Sequence, residues 1–175
     1  MGGATRTIEL EGVLEAMFSY LPEMSMEEGG DTFPVIFGYG DELELNNFLA
    51  NREVSTTYPL IWLLYPLKEK HTDTKLEVDN ASFILAVSTN SSMENKQRMA
   101  ETFGKMLMPL LYNVRYAFKN ANVININNEY DVVKHPNYSK TEERDESAVI
   151  AIWDALKVTF SFTIRDTCLR EIKFI

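Results

Sequence analysis

The sequence predicts an α+β fold: a mostly antiparallel, twisted sheet of four to five strands with two helices packed on one face. Near the C-terminus, Leu156, Val158, Phe160, Phe162 and Ile164 alternate with Lys157, Thr159, Ser161, Thr163 and Arg165. That period of two belongs to a strand with one buried and one wet face. Met99, Phe103, Met106, Leu107, Leu110, Val114 and Phe118 recur at helical spacing across about six turns. Ile61, Trp62, Leu63 and Leu64 show no polar alternation, as in a central strand covered on both faces. Trp62, Phe103, Leu107, Phe160 and Phe162 are the expected centre of the core.

Taken in order, Ile8 to Leu21 places Leu10, Val13, Leu14, Met17, Phe18 and Leu21 on one helical stripe, stopped by Pro22. "EMSMEEGGD" is a polar loop with Gly29–Gly30 as its turn. "FPVIFGYG" (33–40) is a short strand, and Pro34 assigns it to an edge because proline cannot donate to a ladder. "DELELNNFLAN" (41–51) is a short helix with Asp41 as N-cap and Leu45, Phe48 and Leu49 facing inward. A polar loop is expected around Lys68–Thr74, then "KLEV" and "SFILAVST", with Asp79 and Asn80 a turn or bulge between them. Pro109 should kink or split the long helix near Lys105–Met106. "NVININ" reads as a strand, 127–147 as a long polar excursion, and "CLREIKFI" as a further short strand. The 175 residues read as a single domain with a flexible N-terminus at 1–6 and a long polar loop at about 134–148.

Charge is uneven. The first 50 residues hold ten acids against one base, Arg6, and so carry the whole net charge of −9. Such a field repels nucleic acid and can steer a basic partner, or it simply keeps the surface solvated. Lys96, Arg98, Lys105, Arg115 and Lys119 decorate the long helix, but Glu94 and Glu101 interleave with them. One cysteine, Cys168, leaves no intrachain disulfide, which fits folding in a reducing, intracellular compartment. No stretch reaches the ~20 apolar residues of a membrane span, so no membrane partner is expected. "MGGATRTIEL" matches neither a signal peptide nor a myristoylation site.

Catalytic motifs are wanting. His71 and His135 have no second cluster to complete a metal site, and Cys168 has no neighbouring base. Asp154 with Glu171 and Lys173 resembles the acid–lysine set of magnesium-dependent nucleases, a pattern that arises easily by chance. Neither an enzyme nor a cofactor is expected.

The order of elements carries a resemblance. "YPLIWL", "SFILAVSTN", the helix opening at Asn95–Arg98, the "PLL" within it and the Trp153–Asp154 entry to the last strand are its most specific pieces. Over roughly residues 8–170 the pattern is similar to tail-terminator or tail-completion proteins and related neck ring proteins of tailed phages of Bacteroidetes, crAss-like phages among them. That resemblance implies a tail-terminator-like fold and a non-enzymatic virion protein made in the bacterial host cytoplasm. It would be a homo-oligomeric ring of the head–tail connector or tail terminus, with portal, neck or tail proteins as partners and DNA only as passing cargo. A soluble assembly adaptor of the same fold is the alternative. In a ring, Lys68, Lys70 and His71 of loop 66–80 would reach neighbours. So would Lys134, His135, Tyr138, Glu142, Glu143 and Arg144 of loop 134–148. Glu23, Glu27, Glu28 and Asp31 would face a basic partner or line the DNA channel.

Overall fold

The structure, a computed structural model, describes residues 9–51, 59–89, 92–138 and 152–165. The expected N-terminal segment 1–6, loop residues 139–148 and the closing "CLREIKFI" lie outside them.

Two long antiparallel strands form the spine: β4 (Lys75–Thr89) and β7 (Ile152–Arg165), paired along nearly their whole length. The alternation in β7 holds, with Leu156, Val158, Phe160, Phe162 and Ile164 buried beneath the helices. β4 joins "KLEV" and "SFILAVST" into one strand, and a bulge between Val78 and Ala81 absorbs the register shift. Asn80 adopts φ 52 there, a left-handed conformation that asparagine tolerates better than most residues.

Each side of the spine is lined by a broken strand. β2 (Leu60–Leu64) and β3 (Lys68–His71) run along one side of β4. The break falls at Pro66, which has no N–H to donate. β5 (Ile124–Ile126) and β6 (Asp131–His135) run along the outer side of β7. β1 (Ile36–Gly40) closes the far edge beside β2. Among the described residues the sheet therefore has seven strands in five lanes, rather than four to five strands. It is also mixed, because β1 pairs with β2 in parallel through the crossover that contains α2 (Glu42–Asn51).

The stretch 66–80 is thus no free loop: Lys68–His71 is a strand of the sheet. The polar excursion after β5 likewise holds a strand, and Lys134 and His135 sit in β6 rather than in a loop. Local hydrophobic periodicity missed both because "KEKH" and "DVVKH" each pair with one strand only among the described residues, and little side-chain burial marks them.

Helices cover both faces, unequally. α1 (Leu10–Phe18) and the long helix pack on one face, over Ile61, Leu63, Phe83, Phe160 and Phe162. The second face carries α2, whose Leu45 and Leu49 meet Leu60, Trp62, Ile84 and Trp153. Two helices on one face is therefore corrected, among the described residues, to two on one and a third on the other. α2 begins with a reciprocal cap: the Glu44 N–H donates to Asp41 Oδ1 and the Asp41 N–H to Glu44 Oε2, each at 2.8 Å. Trp62 explains the neighbouring glycines. Its indole lies across β1, so a Cβ at Gly38 would stand 2.6 Å from a ring carbon, and Trp62 Nε1 donates to the Gly40 carbonyl at 3.2 Å.

The long helix stays continuous past Pro109. It opens as α3 (Asn95–Arg98), widens to π-helical turns over Met99–Leu107 and returns as α4 (Met108–Asn120). The Met108 N–H reaches back five residues to the Phe103 carbonyl, so the helix meets the proline by widening rather than by splitting. No helix among the described residues is long and apolar enough to cross a membrane.

Candidate interaction surface

Arg98 and Arg115 project from the long helix expected to show its charges to solvent, yet both are buried. Arg98 is 1% exposed and Asp154 0% exposed, and they meet across 56 residues of sequence. Arg98 Nη1 donates to Asp154 Oδ1 at 3.0 Å, and Nε donates to the Met93 carbonyl at 3.1 Å. The Asn137 backbone N–H also donates to Asp154 Oδ1, at 3.0 Å. This knot ties the start of the long helix to the start of β7 and to the turn after β6. Asp154 therefore does not present its carboxylate to solvent, where a magnesium ion and a phosphodiester would have to meet it. Glu171 and Lys173 lie outside the described residues. Among the described residues no three His, Cys, Asp or Glu side chains gather as metal ligands.

The residues expected at subunit contacts divide between opposite sides of the sheet. Lys68, Lys70 and His71 are exposed on β3; Lys68 pairs with Asp79 at 3.7 Å and Lys70 with Glu77 at 3.6 Å. His71 Nε2 lies 2.8 Å from Glu69 Oε2. Hydrogen bonding to Lys75, then its charge, lowers the pKa of Glu77. Lys134 and His135 stand three lanes away on β6. Tyr138 is half-buried against the second core cluster, its N–H donating to the Trp153 carbonyl at 2.7 Å. Burial first, and the Glu42 carboxylate second, push its phenol pKa up. Glu142, Glu143 and Arg144 are outside the described residues. Glu23, Glu27, Glu28 and Asp31 are all exposed on the loop between α1 and β1.

The most distinctive surface was not singled out by the sequence. Met108, Tyr112 and Tyr116 follow one another every four residues along the outer face of α4, opposite its core stripe. Tyr112 is 70% and Tyr116 56% exposed, and their rings stack with centroids 6.3 Å apart. Tyr20, also exposed, continues the surface from the end of α1. The legible signal was a tyrosine pair at i, i+4 falling between the core positions Leu111, Val114 and Phe118.

This crest separates two hollows. One is apolar and lies toward α1, between Met17, Tyr20, Leu21 and the α4 tyrosines. The other lies toward the β5–β6 connection, walled by Met108, Tyr112, Tyr116, Asn128 and Tyr130, with Arg115 and Lys119 along it. Arg115 is 7% exposed; its Nη2 donates to the Asn128 carbonyl at 3.3 Å, and its guanidinium lies 3.8 Å from the Tyr130 ring centre. Its Nη1 is buried with no acceptor among the described residues. A buried donor left so costs about 1–3 kcal/mol.

No model of a known protein family matches the chain, and no curated protein matches it.

Proposed function

We propose that this chain is a non-enzymatic structural protein of a tailed phage, one that forms a ring in the head–tail connector or at the tail terminus. The observation that carries an assembly role is the α4 crest, where large aromatic side chains stand exposed on a folded helix. Exposed tyrosine and methionine clusters of this kind mark protein–protein interfaces. A head-to-tail ring also needs two different surfaces per subunit. The basic residues on β3 and those on β6, three lanes apart, are compatible with that need.

The phage assignment rests on the resemblance in "YPLIWL", the Asn95–Arg98 helix start and Trp153–Asp154. Two of those stretches supply the two halves of one buried ion pair. A fold that keeps one half must keep the other, which gives their joint occurrence a physical reason. In this role the portal, neck or tail proteins would be its partners, DNA would pass only as cargo, and the acidic third would face a partner or the channel.

Negative-stain imaging of the purified chain at high concentration tests the proposal. Closed rings of several subunits are expected. A field of single 20.1 kDa particles at every concentration would contradict it.

A further inference from the structure

We propose that the hollow beneath Tyr130 is the seat for a carboxylate from a second copy of this chain, donated by its 23–31 loop. Arg115 is the receiving group and Lys119 the rim charge. This inference rests on the ring reading above and names the contact that would close the ring.

The guanidinium supplies the first reason. Arg115 lines the hollow, is more than nine-tenths buried, and keeps one Nη1 donor without an acceptor. Two rings lie against it, the buried Phe160 at 5.8 Å and, nearer at 3.8 Å, Tyr130, which is itself exposed on the short connection between β5 and β6. A carboxylate could reach the guanidinium from the hollow if Tyr130, which lies outside both strands, moved aside. An arriving carboxylate could then accept from Nη1 and from the Lys119 ammonium together. A carboxylate is the acceptor that a guanidinium fork holds best.

Charge arrangement supplies the second reason and identifies the occupant. The apolar hollow toward α1 ends at Pro22, where the chain enters the loop bearing Glu23, Glu27, Glu28 and Asp31. Those four carboxylates are exposed, and among the described residues none forms an ion pair. Acid therefore lies beyond one flank of the tyrosine crest and base along the other. Two different, complementary flanks on one subunit are what a head-to-tail contact requires, with the tyrosines buried between copies. A second copy brings the acidic loop at the same concentration as the seat.

Charge reversal tests the contact on exposed residues that folding does not need. Lys119→Glu alone, and Glu27→Lys with Glu28→Lys, should each weaken self-association at least tenfold in sedimentation velocity, the size of losing one charge-assisted hydrogen bond. Combining all three reversals in one chain should recover only the share carried by the Lys119 pairing, because Arg115 stays cationic and still lacks its carboxylate. A zero-length carbodiimide cross-link from Lys119 to the 23–31 loop should join isotope-labelled to unlabelled chains. Rings that form unchanged in both reversed variants would overturn this contact and leave the ring reading standing. A wild-type chain that stays at 20.1 kDa would overturn both.

Discussion

Arg98 and Arg115 leave the same helix, both vanish from the surface, and they end in opposite circumstances. Arg98 closes on a carboxylate and a carbonyl of its own chain, and the three segments it joins are held by that closure. Arg115 reaches one carbonyl and a ring face, and stops one acceptor short beside an exposed aromatic crest. A satisfied buried charge serves the fold. An unsatisfied one beside a hollow marks where the chain expects something from outside.

The largest effect should come from breaking the Arg98–Asp154 pair, in which Arg98 and Asp154 Oδ1 are partnered although Asp154 Oδ2 accepts no hydrogen bond among the described residues. Arg98→Met leaves Asp154 buried without its counter-charge and should remove about 3–5 kcal/mol in denaturant unfolding. Arg115→Met should change stability by no more than about 1 kcal/mol, because the substitution also removes the unpaired donor. Equal losses for the two would erase the distinction between them.

The α2 cap provides an intermediate mark, since it is satisfied but exposed. Asp41→Ala should cost about 1 kcal/mol by the same unfolding measurement, between the two arginines. A loss as large as that of Arg98→Met would mean that burial is not what separates these sites.

The smallest effect concerns Tyr138, next in sequence to the Asn137 N–H that completes the Arg98 knot. Its folded phenol titrates above the ordinary 10.0. Below that value the stabilisation is fully present; as pH rises further the unfolded chain ionises first, and stability falls through the raised pKa. Unfolding midpoints on either side of pH 10 should therefore drop more for the wild type than for Tyr138→Phe. Identical slopes would mean that the ring at the knot's edge is not sheltered.

What was legible in the sequence was what depends on local periodicity. β7 announced itself because side chains alternate across a strand, and α2 because Asp41 stands as an N-cap before Leu45, Phe48 and Leu49. The bulge at Asp79–Asn80 was readable as a break in alternation. The lanes of β3 and β6 were not, because edge strands bury little and "KEKH" carries no apolar face. The parallel pairing of β1 with β2 depends on how α2 crosses over, which no window of sequence records. Burial of Arg98 and Arg115 escaped for the same reason: a charge on a helix reads as solvated until its partner, 56 residues away for Arg98 and 13 for Arg115, is placed. The tyrosines of α4 were visible as residues, but only the folded helix shows them standing outward.

The most direct test of an assembly face on α4 is the solution mass of the double variant Tyr112→Ala, Tyr116→Ala, measured by light scattering across concentration beside the wild type. The account predicts a wild-type mass that is a multiple of 20.1 kDa and a folded variant that stays at 20.1 kDa. A variant that assembles as the wild type does would contradict it.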